Sequence, residues 1–271
     1  MKNEEIAPKI YMMNVEAPLI ARKAEAGQFV VLRLNERGER IPLTLVDWNS
    51  SKGSITLVYQ VVGLTTKKMS EKRNGDFITD LVGPLGKPGA AKNFGNVAVV
   101  GGGVGTAATY PRARQLKHTG NYVISILGAR SSSLLVFEKE IRSVSDEVYI
   151  STDDGTKGKK GFVSDVLRDL LQRGRKIDYV FAVGPAIMMR AVANITKECG
   201  VITDVSLNPI MVDGTGICGA CRVRVGGKTL FTCVDGPEFD GHQVDFDELL
   251  ARLNTYKWEE ALALKQYVGE E

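Results

Sequence analysis

The chain predicts a β barrel followed by an α/β unit: a Greek-key barrel over residues 1–93, a parallel-sheet nucleotide-binding domain over 94–205, and a small C-terminal lobe over 206–271. Three observations predict it. Short runs rich in β-branched and aromatic residues, divided by Gly, Asn and Ser turns, fill the first third. Strands then alternate with helices from Asn96, the signature of a parallel sheet. Three of the four cysteines fall within 16 positions, from Cys218 to Cys233, in a glycine-rich stretch.

Composition narrows the class. At 44% hydrophobic residues, 271 positions can bury a substantial core. The formal charge of +3 is close to balance and leaves no basic footprint for nucleic acid. The first 18 residues lack the apolar stretch of a signal peptide, and no apolar run approaches the roughly 18 residues of a membrane span. A cytoplasmic protein with no membrane attachment is expected. The 29 glycines are scattered, which excludes collagen-like and low-complexity chains.

In the first part, Lys9–Val15, Gln28–Leu34, Ile41–Trp48 and Ser54–Val61 read as strands, and Thr65–Lys72 as one short helix. Strands at this spacing suit a small barrel. Two segments carry chemistry. Ile41-Pro42-Leu43-Thr44 opens a strand. Gly63-Leu64-Thr65-Thr66 leads into the helix, where free N–H groups, the dipole and the hydroxyls of Thr65 and Thr66 suit a pyrophosphate. The alternatives are an ordinary barrel strand and an N-capped helix.

In the second part, the strand Asn96–Val100 runs into Gly101-Gly102-Gly103-Val104-Gly105-Thr106 and then a helix to His118. Strand, glycine turn and helix together let backbone approach a phosphate, although this run matches the dinucleotide fingerprint loosely. Strands Tyr122–Leu127, Glu147–Ser151 and Asp178–Val183 follow, with helices over Leu134–Ser143, Phe162–Leu171 and Pro185–Glu198. Gly184-Pro185 and Asp153-Asp154 sit after strands, at the edge where such sheets bind ligands. The carboxylates there suit a ribose or carboxamide, or a solvated turn. Arg130 lies where an adenosine phosphate would be met, which leaves NAD(H) and NADP(H) both open.

The third part holds Asp213, Cys218, Cys221 and Cys233, with spacings x4, x2 and x11. This is the plant-type 2Fe–2S spacing with a carboxylate in place of the first thiolate. Gly214, Gly216 and Gly219 suit a loop that curls with its N–H groups toward sulfide. The alternatives are zinc, with Cys199 as a fourth thiolate, and Asp213 as a loop cap. Zinc sites usually bring two short-spaced ligand pairs, and here there is one. A hairpin turned at Gly226-Gly227 returns Cys233 to the loop. Asp245 with Glu248 marks a helix start, and Phe246, Leu249, Leu250 and Leu253 one helical face.

These parts, in this order, resemble the ferredoxin reductase-like flavoprotein family over nearly the whole chain. The residues that carry the resemblance are Ile41–Thr44, Tyr59–Gly63, Gly83-Pro84-Leu85-Gly86, Gly101–Gly105, Gly184-Pro185 and Asp213–Asp235. Within the family the chain looks like the electron-transfer subunits of dihydroorotate dehydrogenase, and more closely like the small subunits of NADH-dependent reduced ferredoxin:NADP oxidoreductase. The resemblance implies FAD in the barrel, with Pro42, Leu43 and Thr44 lining the isoalloxazine. Tyr59, Gln60 and Val61 would flank the ring, and Gly63, Thr65 and Thr66 would hold its pyrophosphate. It implies a nicotinamide nucleotide on the second domain and a 2Fe–2S cluster on the third.

Two departures stand out. Ile41 replaces the Arg that usually precedes Pro in the flavin motif, and alternation turns Arg40 to the other face. Asp213 stands where the dihydroorotate dehydrogenase subunits carry Cys, as in the ferredoxin:NADP oxidoreductase small subunits. A nicotinamide delivers a hydride and a cluster accepts single electrons, so the flavin belongs between them. No general base is required, and no catalytic side chain is assigned; His118 and His242 read as structural or surface residues. The resemblance further implies a heterodimer with a larger flavin and iron–sulfur subunit, ferredoxin reached through that partner, and flavin-based electron bifurcation. The rival readings are an electron-transfer subunit of dihydroorotate dehydrogenase or of a hydrogenase, and a zinc-stabilised nucleotide-binding module without redox activity.

Overall fold

The computed structural model describes residues 1–269; the last two residues of the expected C-terminal lobe lie outside them. The N-terminal part comprises β1 (Lys2–Ala7), β2 (Ile10–Glu16), the single-turn helix α1 (Pro18–Ala21), β3 (Phe29–Arg33), β4 (Ile41–Asn49), β5 (Ser54–Gln60), α2 (Leu64–Ser70) and β6 (Asp80–Leu85). The strands form one antiparallel sheet in the order β1-β2-β5-β4-β3-β6. β3, β4 and β5 are consecutive neighbours, and β6 returns to lie beside β3, which is the Greek-key order. β1 and β6 end the ladder and do not pair with each other among the described residues, so the pairing is that of an open sheet rather than the closed barrel expected.

Alternation explains which side chains are buried. Met13, Val30, Leu32, Leu45, Ile55, Leu57 and Tyr59 point to one shared core, closed by Met69 of α2. The run Phe29-Val30-Val31-Leu32 is buried throughout because both faces of β3 are covered. Val30 and Leu32 face that core, whereas Phe29 and Val31 pack with Met211, Cys221 and Cys233 from the far end of the chain.

The second part comprises β7 (Asn96–Gly102), α3 (Gly105–His118), β8 (Tyr122–Ala129), α4 (Glu138–Arg142), β9 (Glu147–Thr152), β10 (Lys159–Lys160), α5 (Val163–Gln172), β11 (Tyr179–Val183), α6 (Ala186–Glu198) and β12 (Ile202–Ser206). After it come β13 (Arg222–Val225), β14 (Lys228–Phe231), the short turn α7 (Thr232–Asp235), β15 (Glu238–Asp240), α8 (Phe246–Leu253) and α9 (Lys257–Val268). The larger sheet runs β10-β9-β8-β7-β11-β12-β15. It is parallel except for β15, which pairs antiparallel with β12 and draws a strand from beyond residue 205 into the nucleotide sheet. The strand order reverses between β7 and β11, so the crevice at their carboxyl ends is the topological switch point.

Several elements differ from the sequence expectation. The helix expected over Leu134–Ser143 is a short turn at Ser132–Leu134 and then α4. Phe137 separates them with φ of +60°, which no continuous helix accommodates. β1, β6, β12, β15 and α9 had no counterpart in the sequence reading. No helix among the described residues is long and apolar enough to cross a membrane.

Candidate functional site

Two glycine turns meet at the switch point. Gly102 closes β7, Gly103 turns the chain with φ of +59° and donates its N–H to the Gly128 carbonyl at 2.8 Å, and Gly105 begins α3. Gly184-Pro185 follows β11 directly. The turns touch through backbone. A Cβ on Gly105 would lie 2.8 Å from the Val183 carbonyl oxygen and 2.9 Å from Gly184 Cα, and one on Gly102 would collide with Met188 Sδ.

Beside them opens a cleft of about 480 Å³. Gly102, Gly103, Val104, Arg130, Asp153 and Pro185 line it from the nucleotide sheet, and Ile10 and Gln60 from β2 and β5. One buried hydroxyl in the cleft wall, Ser151 Oγ, has no hydrogen-bond partner; Thr106 Oγ1, in the first turn of α3, is also unpaired but is fully buried and does not line the cleft. An orphaned buried hydroxyl costs about 1–3 kcal/mol. Together with glycine-floored backbone, the Ser151 hydroxyl suits a polar, phosphate-bearing ligand.

The predicted residues separate here. Arg130 and Asp153 reach the cleft. Asp154 turns away, accepting from the Thr156 hydroxyl at 2.7 Å and the Thr156 N–H at 2.9 Å, which holds its carboxyl below the usual carboxylate range. The sequence reading missed Phe162 and Ile187, two cleft-lining side chains each 61% exposed. Phe162 immediately precedes α5, and Asp165 accepts its N–H at 3.0 Å. An aromatic after Gly161 at a helix start is the only local signal it left.

On the antiparallel sheet, Ile41, Pro42, Leu43 and Thr44 are half-buried although Leu45 and Val46, which continue β4, are buried. That apolar strand start suits a flat ring. Pro42 pairs with Val31, Leu43 with Val30 and Thr44 with Phe29. Arg40 is exposed just before β4. Tyr59 is 2% exposed, stacks on Tyr11 with ring centres 5.6 Å apart, and donates its hydroxyl to Asn3 Oδ1. Burial pushes its phenol well above the ordinary value. Its ring therefore belongs to the core, whereas Gln60 faces the cleft; half-buried Val61 packs at the margin of that core. At the start of α2, the Thr66 hydroxyl accepts the N–H groups of Val62 and Gly63 and donates back to the Gly63 carbonyl, and Thr65 donates to Glu39 Oε2 at 2.7 Å.

The cysteine segment packs on this sheet. Cys221 and Cys233 are each 2% exposed, with sulfurs 3.2 Å apart, well beyond the 2.03–2.05 Å of a disulfide. Burial, with the Cys221 thiol adding, pushes the Cys233 thiol up to about 12. Gly214, Gly216 and Gly219 all have positive φ and curl the loop as expected. Cys218 is exposed, and the Ala220 N–H points to its sulfur at 3.5 Å. Asp213 spans the loop, its carboxylate accepting the N–H groups of Thr215 and Cys218 at 3.0 Å each, which holds it below the usual range. No three His, Cys, Asp or Glu side chains converge to hold a metal ion among the described residues. The segment is soft-ligand chemistry on a tightly curled loop, with two thiols together and Asp213 and Cys218 turned to backbone amides. Cys199 follows α6 at the amino-terminal edge of the nucleotide sheet, the edge opposite to the one from which the chain leaves β12 toward the loop.

These places fall in one spatial order. Gln60 of β5 borders the cleft, β4 beside it carries Ile41–Thr44, and β3 beyond that carries Val31. The cysteine loop lies on β3 and β6: a Cβ on Gly214 would lie 2.9 Å from Val31 Cγ2 and 2.8 Å from Leu85 Cδ1. Two inter-strand steps, about 10 Å, separate β5 from β3.

A Greek-key antiparallel sheet is joined here to a dinucleotide-type parallel sheet. The same build is seen, at 22% identity and a TM-score of 0.61, in an Amycolatopsis cytochrome P450 reductase, over 73% of this chain and 64% of that one. The model of the iron–sulfur cluster binding domain of dihydroorotate dehydrogenase B matches residues 208–245. The dihydroorotate dehydrogenase B (NAD(+)) electron transfer subunit homolog of Thermotoga maritima is 49% identical over 268 residues, 99% of this chain and 94% of that protein. The corresponding subunit of Geobacillus sp. strain WCH70 is 34% identical over 253 residues, 90% and 96% of the two chains. A chain from the structure of an NADH-dependent reduced ferredoxin-NADP oxidoreductase, solved for insight into flavin-based electron bifurcation, superposes with a TM-score of 0.93 at 48% identity, covering 98% and 96%. The chain belongs to the family of dihydroorotate dehydrogenase B electron transfer subunits, which are oxidoreductase components.

Proposed function

We propose that this chain is the small electron-transfer subunit of an NADH-dependent ferredoxin:NADP oxidoreductase, working with a larger flavin and iron–sulfur subunit. Three functional units divide the work: residues 1–93 an antiparallel sheet for FAD, 94–205 the site for NAD(H), and 206–271 the 2Fe–2S lobe. The observation that carries the reading is the spatial order of cleft, β4 and cysteine loop across one sheet.

When bound, the cofactors would supply the redox chemistry, two-electron hydride transfer at the nicotinamide and one-electron exchange at the cluster, with a flavin competent in both. The residues supply position. The backbone at Gly102, Gly103 and Gly105 and the N-terminus of α3 receive the pyrophosphate. Arg130 and Asp153 meet the adenosine side, and Pro185 and Gln60 border the nicotinamide end. Pro42, Leu43 and Thr44 give the flavin an apolar edge, and the backbone N–H groups of Thr65 and Thr66 at the start of α2 its phosphate contacts, their hydroxyls being held by Glu39 and Gly63. Cys218, Cys221 and Cys233 provide three thiolates and Asp213 a carboxylate oxygen. Val31 and Leu85 under Gly214 keep the cysteine loop in contact with the sheet.

The dihydroorotate dehydrogenase reading is supported by the match over 208–245. Asp213 in the first ligand position favours the ferredoxin:NADP reading. Purification of the native complex tests the two. The proposal expects a larger flavin and iron–sulfur partner that reduces NADP with ferredoxin and NADH, and a lone chain that reduces neither ferredoxin nor NADP efficiently. A partner that oxidises dihydroorotate would contradict it.

A further inference from the structure

Helix α3 carries two arginines that leave it on opposite sides. Arg114 reaches the antiparallel sheet, donating to Asp47 at 2.7 Å and lying over the rings of Trp48 and Tyr110 at 5.1 and 5.0 Å. Arg112 goes the other way and is fully buried. Its Nε lies 2.9 Å from Oε1 of Glu238, the first residue of β15, a buried charge contact in which neither atom makes a hydrogen bond. The rest of the guanidinium donates to Gln115 Oε1, to the Ala90 carbonyl at 3.4 Å and to the Tyr179 hydroxyl at 3.5 Å, and it lies 5.1 Å from the centre of the Phe181 ring. Tyr179 in turn donates to Asp204 Oδ2 at 2.8 Å.

The pair sits where all three parts of the chain meet. A Cβ on Gly89, in the connector between the sheets, would overlap the Arg112 guanidinium, and a Cβ on Gly27, just before β3, would lie 2.7 Å from Glu238 Oε1. The Gly89 N–H donates to the Ala26 carbonyl at 2.8 Å and fastens these two glycines together. Glu238 itself follows Cys233 by five residues. The intervening Gly236 and Pro237 carbonyls accept from Lys87 N–H at 2.6 Å and Leu207 N–H at 2.9 Å. Cys233 and Cys221 pack on Phe29 and Val31, two and four residues beyond Gly27. β15 is thus tied to Cys233 through five residues of chain and, through Gly27, to the strand on which the two cysteines pack.

A buried ion pair stabilises a fold little more than apolar residues of the same shape would, but it fixes one arrangement, because either partner left alone is costly. We propose that Glu238 is a positioning residue: paired with Arg112, it sets the seat of the cysteine loop on the antiparallel sheet and thereby the rate of electron passage between the flavin and cluster sites. The proposal rests on the electron-transfer reading above. The step is a one-electron transfer that oxidises the flavin and reduces the cluster, and Glu238 makes and breaks no bond in it.

The test compares the reconstituted full chain with Glu238→Gln, which keeps shape and loses charge, and Glu238→Asp, which keeps charge. Two readouts are taken at about pH 8. Amide hydrogen exchange over residues 207–221 and 238–240 needs no electron transfer, and the Gln variant exchanges faster there while β7 and β8 stay protected. Rapid mixing with NADH leaves flavin reduction unchanged and slows cluster reduction in the Gln variant. The Asp variant recovers part of that loss. If Glu238→Gln does not fold, Arg112→Lys is read in the same way. Unchanged exchange and unchanged cluster reduction overturn the proposal, as does equal slowing of flavin and cluster reduction in both variants. A wild-type chain whose cluster never accepts electrons from NADH overturns the electron-transfer reading instead, and the exchange arm then still decides whether the joint exists.

Discussion

Cys221 and Cys233 lie beside Phe29 and Val31 with their sulfurs in contact, in surroundings that hold the Cys233 thiol protonated far above neutral pH. Ligand thiols must lose their protons to bind metal, so a bound cation is what makes such a pair stable as thiolates. Replacing either by Ser is expected to lower the iron content to about a tenth or less, whereas Cys199→Ser, at the opposite edge of the sheet, leaves it unchanged. Iron analysis distinguishes these, and equal loss in all three would contradict the assignment. Asp213→Cys is expected to retain the cluster and shift its potential, since ligand identity is a main lever on potential; an unchanged potential and EPR spectrum would show that Asp213 only caps its loop, as its contacts with Thr215 and Cys218 allow. At Gly105 the neighbours are backbone atoms of Val183 and Gly184, which cannot step aside. Gly105→Ala is expected to push the two glycine turns apart and raise the KM for NADH about tenfold, or about 1.4 kcal/mol in binding, with the flavin and cluster spectra retained. The glycines and cysteines were legible in the sequence because their chemistry is local. Phe162 and Ile187 became visible at the cleft only once the chain was folded, because their neighbours come from distant segments.

At the level of elements, α3 does the most. Its first turn closes the glycine site, and its arginines grip both neighbours. Arg114→Ala removes two ring contacts and a half-exposed ion pair and is expected to cost about 1–2 kcal/mol, read as a lower urea midpoint. Burial outweighs the attraction of Arg112 at Glu238, Asp204 on β12 adds to it, and the carboxyl is pushed up to about 7, which is why the Glu238→Gln comparison is made at about pH 8.

The same scale shows which elements the sequence displayed. The helix over Phe246–Leu253 is capped by Asp245, which accepts the Glu248 N–H at 2.9 Å, the interaction its spacing implied. β1 reads Lys-Asn-Glu-Glu-Ile-Ala, β6 contains Gly83-Pro84, and β15 is three residues long. Each is held by pairing with a stronger neighbour rather than by its own composition, so local propensity does not reveal it.

For the whole molecule, sheet order is what turns separate motifs into a path. Nothing in the strand sequences states that β11 lies against β7, or that β3 lies between β4 and β6. Those adjacencies bring Gly184 to Gly102 and seat the cysteine loop two strands from the cleft. The three candidate sites thus follow one another, from the cleft between the sheets across β4 to the cysteine loop, in the order that the proposed hydride-to-electron conversion requires. An anaerobic NADH titration of the purified chain, followed by its visible and EPR spectra with metal analysis, tests this most directly. The account predicts a yellow-brown protein with about two iron atoms per chain, whose flavin bleaches and whose cluster then gains an EPR signal as NADH is added. A colourless protein holding zinc, with a spectrum indifferent to NADH, would contradict it.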